Sequence, residues 1–465
     1  MKKNMKFRGR RLLSLFVLLL FVLVSCTTNK NRVYERIKSA VDGIRIIDTH
    51  EHLISEDGRL KLTTDVFYLL NSYIKSDLIS SGMTEKNFEF ILQPENSLEE
   101  RWDKFYPYWE KTKNTGYAQY VIIAVRDLFG IEDINEDTYK ELNDKLLASN
   151  KKGWYEYVLK KKALIDVSIL DPLPKILKID SNNSKDYFVK VKRFDRFVVL
   201  TKNRFYEIEK QANVKINTLT DLLNVLDTEF QKAINEEGIV GIKSGLAYRR
   251  ILRYEDIPQK EAENIFNKMF QMDQMLTVDE SKKLEDFMMY QVIGYAVKYD
   301  LPIQIHTGML AGNWRRNPIE NTNAAHLSNL FLKYKNAKFV IFHGSYPYMR
   351  ELSYLAKSYP NVYIDMCWMH IISPLASKQY LEEWLLTVPA NKIMAFGGDF
   401  GKTVEGTYGH SVIARKNVTE VLVKLVEEGY YTEEDAIMIA KRILRKNALE
   451  LYKLKRVSGH FERLE

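Results

Sequence analysis

Eight short apolar runs alternate with helical segments along this chain of 465 residues. Strands that alternate with helices favour repeated βα units around a parallel sheet, and a count of eight favours a closed barrel. The pattern therefore predicts an α/β protein with a (β/α)8 TIM-type barrel. The predicted strands are residues 44–47, 163–169, 194–200, 239–242, 303–305, 339–342, 362–364 and 393–396.

The stretch between the first two predicted strands is too long for an ordinary βα connection. Residues 54–160 have a helical pattern with few strand signals, including an aromatic cluster around Trp102 and Trp109. We expect a helical insertion after strand one, within a single metal-dependent barrel domain that spans residues 33–465. With 46% hydrophobic and 12% aromatic residues, the chain can bury a core of that size.

Ionisable side chains follow the predicted strands at the end where barrel enzymes place their chemistry. The first strand ends in His50 and His52, whose i, i+2 spacing points both imidazoles the same way. His306, His343 and Asp399 end strands five, six and eight. Imidazoles combined with a carboxylate suit Zn²⁺, or Mn²⁺ or Fe²⁺, with room for a water molecule. We therefore expect a site for a divalent metal.

The motifs around these residues resemble the amidohydrolase superfamily of metal-dependent barrels. Its marks are HxH on strand one, His on strands five and six, and Asp on strand eight. The sequences KSGLAYR (243–249), PIQIHTG (302–308) and HGSYPY (343–348) look like the amidohydrolase-related (amidohydrolase 2) branch. That branch includes the amidohydrolase-like halves fused to glutamine synthetase in some fungi and plants. Uronate isomerase is a more distant relative, and the resemblance covers residues 44 to 452.

The resemblance implies a role for each of these strand-end residues. His50, His52 and His306 would bind one divalent metal, most readily zinc, with Asp399 as fourth ligand and proton shuttle. His343 would be a catalytic acid or base that orients the water or polarises the substrate carbonyl. A metal lowers the pKa of bound water towards about 7, and a nearby carboxylate can take up and return the proton.

Lys243 ends strand four and has two alternative roles. In binuclear members of the superfamily, a lysine at this position is carbamylated and bridges two metals, so a second metal remains open. As an ammonium, Lys243 would instead bind a substrate carboxylate. Tyr248, Arg249 and Tyr346 lie in loops that follow strand ends, where barrels select their substrate, and we expect them to help bind it.

The N-terminus has the pattern of a bacterial lipoprotein signal. Six basic residues precede the apolar run 12–24, which ends in Leu-Val-Ser-Cys, similar to a lipobox with Cys26 as the lipidated residue. An uncleaved membrane anchor is the alternative, although 13 apolar residues fall short of the roughly 20 that span a bilayer. Residues 1–26 are therefore the expected signal with its lipidated Cys26, and residues 27–32 a polar tether. We expect an exported lipoprotein of the cell envelope, anchored in the outer membrane or facing the periplasm.

Charge and cysteine content exclude several function classes. Removing the signal lowers the formal net charge from +8 to about +2, so the basic pI does not indicate a nucleic-acid partner. Cys367 is the only other cysteine, which excludes a disulfide within the lipidated chain. The expected partners are a small substrate and the membrane, and a homo-oligomer stays open.

The predicted function is a metal-dependent hydrolase that cleaves an amide or related bond of a small carboxylate-bearing molecule. Two alternatives remain open at this stage. The same metal barrel could host a uronate-type isomerase or a decarboxylase, because fold and metal do not fix the reaction. A non-catalytic ligand-binding lipoprotein is the second alternative.

Overall fold

The computed structural model describes residues 32–173, 186–270, 274–312 and 317–464. Eight parallel strands form one sheet in the order β1 to β8, which confirms the predicted TIM-type barrel. The strands are β1 (Ile46–Glu51), β2 (Ile165–Leu170), β3 (Phe188–Arg193), β4 (Ile239–Ser244), β5 (Ile303–Ile305), β6 (Phe339–Ile341), β7 (Val362–Asp365) and β8 (Ile393–Met394).

Backbone hydrogen bonds between β1 and the segment after β8 close the barrel. The Thr49 amide donates to the Phe396 carbonyl at 3.2 Å, and the Asp399 amide donates to the His50 carbonyl at 2.9 Å. The His52 amide donates to the Phe400 carbonyl, also at 2.9 Å. Asp399 is thereby fixed beside the two histidines of the first strand.

The segment between β1 and β2 is helical. Its helices are α2 (Glu56–Arg59), α3 (Val66–Leu70), α4 (Ile74–Ser80), α5 (Glu85–Ile91), α6 (Leu98–Thr112), α7 (Gly116–Phe129), α8 (Tyr139–Ala148) and a π-helix (Glu156–Lys162). A separate helix, α1 (32–42), precedes β1 and leads into the barrel. Serine or threonine side chains cap several of these helices, including Ser97 before α6 and Thr115 before α7. The buried side chains of these helices and of the barrel form one hydrophobic cluster.

The remaining helices surround the sheet. They are α9 (Asp195–Val198), α10 (Lys202–Ala212), α11 (Leu219–Asn235), α12 (Gln259–Phe270), α13 (Val278–Lys298), α14 (Ser328–Lys333), α15 (Met349–Ser358), α16 (Met369–Ile372), α17 (Pro374–Thr387), α18 (Val404–Glu427), α19 (Glu433–Lys441) and α20 (Asn447–Leu451). A π-helix, Arg442–Lys446, joins α19 to α20. The helices of the described ranges include none that is both long enough and apolar enough to span a membrane.

The prediction of the third strand is wrong. The third strand is Phe188–Arg193, and residues 195–198 of the predicted strand form the short helix α9. Lys190 and Lys192 interrupt the apolar pattern of the real strand, whereas Phe194, the first residue of the predicted strand, is buried just beyond it and stacks on Phe230 with ring centroids 3.8 Å apart. After the barrel, the chain forms an antiparallel hairpin of β9 (Leu454–Val457) and β10 (His460–Arg463).

The predicted signal, Cys26 and nearly all of the tether lie outside the described residues.

Candidate metal centre and active site

Three ligand atoms from two strand ends converge at the mouth of the barrel. Nε2 of His50 lies 3.5 Å from Oδ1 of Asp399, and Nε2 of His52 lies 3.3 Å from the same oxygen. One ligand atom from each of these residues lies within 4.8 Å of the others. The i, i+2 spacing on β1 and the barrel closure next to β8 together produce this convergence.

Hydrogen bonds on the far side of each ring fix both imidazoles in the same tautomer. Nδ1 of His50 lies 3.1 Å from the amide oxygen of Gln304, and Nδ1 of His52 lies 2.7 Å from the carbonyl oxygen of Asp171. Both partners are acceptors, so each Nδ1 carries the proton and each Nε2 keeps its electron pair. Gln304 cannot turn its amide over, because its nitrogen donates to the Thr49 carbonyl and to the Tyr452 hydroxyl.

Asp399 is held in a strained backbone conformation with φ of 65°. Non-glycine residues rarely adopt this left-handed region, which costs about 1–3 kcal/mol and occurs often at functional sites. Tyr73 donates its hydroxyl hydrogen to Oδ2 of Asp399 at 2.7 Å, which leaves Oδ1 facing the histidines. Burial alone would raise the pKa of Asp399, but positive charge on His52, His50 and His343, when those rings are protonated, outweighs it and lowers that pKa well below its usual value.

These residues fit a divalent cation. Nε2 of His50 is buried and has no hydrogen-bond partner within the described part of the chain, which is a costly state for a polar atom unless a ligand satisfies it. Burial lowers the pKa of His50 well below its usual value, with Lys243 and His52 adding to the effect. Neutral imidazoles and an ionised carboxylate are the protonation states that a metal requires of its ligands.

His306 and His343 form a second pair of rings beside this group. Nδ1 of His306 lies 3.0 Å from Nε2 of His343, and His306 does not belong to the His50, His52 and Asp399 group. Nδ1 of His343 donates to the Cys367 carbonyl at 2.9 Å. Burial lowers the pKa of His343 to about 4, so this ring is neutral near pH 7 and its Nε2 is a proton acceptor.

Lys243 is buried in the barrel beside these groups. Its ammonium nitrogen lies 3.7 Å from the centroid of the Phe342 ring, which also packs against the His50 ring with centroids 4.8 Å apart. Burial lowers the pKa of Lys243 to about 8, although the charges of Asp171 and Asp399 oppose this shift. A substantial fraction of Lys243 is therefore uncharged in mildly alkaline solution.

The other predicted substrate residues take different positions. The Tyr248 ring packs against His306 with centroids 4.5 Å apart, and its hydroxyl accepts a hydrogen bond from the Ala311 amide at 3.0 Å. Tyr346 is half-buried, and its carbonyl accepts from the Met309 amide at 2.7 Å. Arg249 is exposed to solvent.

The structure adds residues to the site that the sequence pattern did not reveal. Tyr73 comes from the helical insertion, and its ring stacks on Trp368 with centroids 4.6 Å apart. Asp171 follows β2 and accepts hydrogen bonds from the Arg193 guanidinium, with its Oδ2 2.8 Å from Nε. The Asp-Pro pair that follows strand two was a usable sequence signal for Asp171. Tyr73 had none, because nothing in a helical pattern shows which face meets the barrel mouth.

Part of the chain matches a family model and a curated relative. The family model described as Amidohydrolase matches residues 228–454, which cover β4 to β8. Protein fluG of Emericella nidulans is 31% identical over 232 residues, which are 48% of this chain and 26% of the fungal protein. The chain thus spans about a quarter of that relative.

Two solved structures share the fold over nearly the whole chain. Uronate isomerase from Thermotoga maritima has a TM-score of 0.74 at 17% identity, covering 90% of this chain and 97% of that one. Glucuronate isomerase from Caulobacter crescentus has a TM-score of 0.77 at 16% identity, covering 93% and 96%. At such identities the likeness is one of fold, and the covered length includes the helical insertion.

The barrel and its histidine and aspartate ligands define a metal-dependent, amidohydrolase-like enzyme. Residues 228–454 are similar to the amidohydrolase family, and the fold of nearly the whole chain is similar to that of the uronate isomerases.

Proposed function

We propose that this protein is a hydrolase that uses one divalent metal, zinc or alternatively manganese or iron, to cleave an amide or related bond of a small carboxylate-bearing molecule. The observation that carries the proposal is the convergence of the two Nε2 atoms, in fixed tautomers, on Oδ1 of Asp399. A divalent cation bound by His50, His52 and Asp399 would supply Lewis acidity and ionise water near neutral pH.

Three protein side chains accept, return or orient protons in this proposal. Asp399 accepts the proton of the attacking water and later returns it to the leaving group, as a carboxylate beside the reacting atoms can. Tyr73 keeps Oδ2 of Asp399 engaged, so that Oδ1 points at the reaction. His343 offers a neutral Nε2 as a second proton acceptor.

Lys243 is the cation that would bind the substrate carboxylate. Its ammonium lies against an aromatic ring in a buried position, where an incoming anion would be attracted strongly because little water screens the charge. Arg193 adds positive charge nearby, and Asp171 neutralises part of it. In this proposal Lys243 binds the substrate and is not carbamylated.

A uronate-type isomerase is the second candidate. The fold likeness to two isomerases includes the helical insertion, and that insertion places the Tyr73 hydroxyl 2.7 Å from Asp399. A carboxylate in contact with a phenol can move a proton between neighbouring carbon atoms of a sugar acid. Hexuronates also carry the carboxylate that Lys243 would bind.

A direct assay separates these functions. The purified full-length chain, loaded with zinc, is incubated with a panel of N-acyl amino acids and with hexuronates. Release of an amine supports the hydrolase, and formation of a ketose without release supports the isomerase. Asp399→Asn is the matched control and should lower either activity by roughly 10²–10⁴-fold. If neither activity appears although compounds of the panel bind, a non-catalytic ligand-binding lipoprotein becomes the better explanation.

A further inference from the structure

A cleft lies beside the starts of β1 and β2, at the end of the barrel opposite to the candidate metal centre. It has a volume of about 360 Å³ and is lined by α1, α7, α18 and the end of the first π-helix, and we call it the α1 cleft. Its charged lining residues are Lys38, Asp42, Asp127, Lys162, Arg415 and Lys416. Because four of them are cations and two are anions, the cleft has a net positive charge.

Both anions of the α1 cleft already have partners. Asp42 forms an ion pair with Lys38, one turn earlier on α1. Asp127 accepts hydrogen bonds from the Tyr408 hydroxyl at 3.0 Å and from Nε of Arg126 at 2.7 Å. Neither carboxylate is therefore available to pair with the other cations of the cleft.

Two lysines of the α1 cleft lack a close carboxylate. Nζ of Lys162 lies 5.5 Å from the centroid of the Tyr157 ring, and the described residues place no carboxylate oxygen within 4.0 Å of it. Nζ of Lys416 lies 3.9 Å from Glu420, whose carboxylate has a closer partner in Lys378 at 2.9 Å. Both ammonium groups can therefore take up an incoming anion.

Arg415 supplies a further cation, which is buried. It is only 8% exposed, and its guanidinium donates to the carbonyl oxygens of Val41, Ile44 and Ala163. Burial lowers the pKa of Arg415 to about 10, because the neutral carbonyls do not fully replace its hydration. One turn later, Thr419 lines the same cleft, and its buried hydroxyl has no hydrogen-bond partner among the described residues. An unpaired buried cation and an unsatisfied hydroxyl are both costly unless a ligand supplies negative charge and acceptor oxygens.

The sequence places the α1 cleft close to the expected lipid anchor. Helix α1 begins at residue 32, six residues after Cys26. Six residues span at most about 22 Å in any conformation, so a lipidated Cys26 holds the start of α1 within that distance of the membrane surface. Lys38 lies less than two turns further along the helix, which is about 9 Å. The face that carries the α1 cleft is therefore the one kept near the lipid headgroups.

We propose that the α1 cleft binds the phosphodiester headgroup of an anionic phospholipid in the membrane that holds Cys26. The phosphoryl oxygens accept hydrogen bonds from the ammonium groups of Lys162 and Lys416, beside the charge of Arg415. Binding is non-covalent, and no bond is broken or formed. The strand starts of the barrel then face the membrane, and the candidate metal centre faces away from it, open to a soluble substrate.

This inference goes beyond the proposed function, because it concerns another face of the molecule and holds for any reaction at the metal centre. The expected anchor serves only to favour a membrane lipid over a free phosphate as the ligand.

Lipid retention measured by native mass spectrometry tests the inference without an activity assay. The full-length chain in a neutral detergent is titrated with mixed micelles that contain phosphatidylglycerol or, in parallel, phosphatidylcholine. We expect about one phosphatidylglycerol molecule per chain, and no retained phosphatidylcholine at the same mole fraction, since only the first headgroup has a net negative charge.

A pair of double variants shows whether the α1 cleft is the site. Lys162→Gln combined with Lys416→Gln should weaken phosphatidylglycerol binding by roughly 30-fold, because each lysine near an anionic lipid contributes about a factor of five. The matched control combines Lys86→Gln with Lys335→Gln, two lysines outside the cleft, and it should bind like the wild type. All four lysines are exposed, so the comparison does not depend on folding. Equal losses in both double variants, or equal retention of the two lipids, would overturn the inference.

Two further titrations separate the remaining explanations. The full-length Cys26→Ser chain should retain phosphatidylglycerol as the wild type does, so a failure of lipidation is distinguished from a failure of this inference. Inorganic phosphate is also titrated in place of the lipid. Phosphate binding without retention of phosphatidylglycerol would reveal a site for free anions and would contradict the headgroup assignment.

Discussion

At the scale of single residues, the candidate metal ligands depend on a side chain that lies outside the ligand group. Gln304 accepts from Nδ1 of His50 and is itself locked by Thr49 and Tyr452. Gln304→Leu removes that acceptor at similar volume, so the His50 ring is free to turn and change tautomer. We expect the metal affinity to fall by about 10–100-fold, measured by competition with a chelator.

Gln304→Glu is the control for this prediction, because it retains an oxygen acceptor for His50. Its metal affinity should stay within a few-fold of the wild type. Thermal melts of both apoproteins separate a loss of affinity from a loss of folding. An unchanged affinity in Gln304→Leu, with the apoprotein folded, would contradict the role assigned to Gln304.

The charge of Lys243 predicts a pH dependence with a definite sign. Burial lowers its pKa to about 8, so the ammonium is present below that pH and is lost as the pH rises through it. If the ammonium binds the substrate carboxylate, KM should rise above about pH 8. Lys243→Arg keeps its charge to far higher pH, so its KM should stay flat across the same range, whatever its absolute value. A wild-type KM that does not change up to pH 10 would count against this role.

At the scale of elements, the insertion and the barrel meet at a glycine. Gly409 of α18 lies so close to α7 that a β-carbon there would come 2.0 Å from the Tyr120 carbonyl oxygen. Gly409→Ala should therefore force the two helices apart and lower the free energy of unfolding by about 1–3 kcal/mol. Urea denaturation followed by circular dichroism measures this change.

Gly294 in α13 is the matched control. A β-carbon at Gly294 would meet nothing closer than the Tyr334 hydroxyl at 3.8 Å. Gly294→Ala should be neutral or should stabilise the protein by up to about 1 kcal/mol, because alanine favours a helix. Equal effects of the two substitutions would show that helix propensity, and not the close approach, determines the cost at Gly409.

The elements also show what a sequence can and cannot predict. His50 and His52 could be predicted as site residues because the two-residue period of a strand points both side chains the same way. Asp399 could be predicted because a short apolar run precedes it. Strand β3 was missed because Lys190 and Lys192 alternate with its buried residues, while four consecutive apolar residues, 197–200, lie just beyond it. Tyr73 and Gln304 were missed as site residues because their contacts join segments more than 200 residues apart.

At the scale of the whole molecule, the insertion is tied to the barrel by charge as well as by apolar packing. Arg59 of α2 donates to Glu405 of α18 at 2.7 Å, and the Trp154 indole nitrogen donates to the same carboxylate oxygen at 2.7 Å. Both charged groups are buried, so leaving either one unpaired would cost several kcal/mol. These contacts tie both ends of the insertion, which also carries Tyr73, to α18.

The N-terminal pattern predicts where the enzyme resides. We propose that the chain is an exported lipoprotein, with Cys26 diacylated after removal of the basic and apolar signal. Expressed in a bacterial host with an alkyne fatty acid, the wild type should incorporate the label and should partition with membranes. Cys26→Ser should incorporate none. An uncleaved anchor gives a different result, because the wild type would then stay in the membrane without label and keep the mass of the full chain. Label in both proteins, or in neither, would contradict lipidation at Cys26.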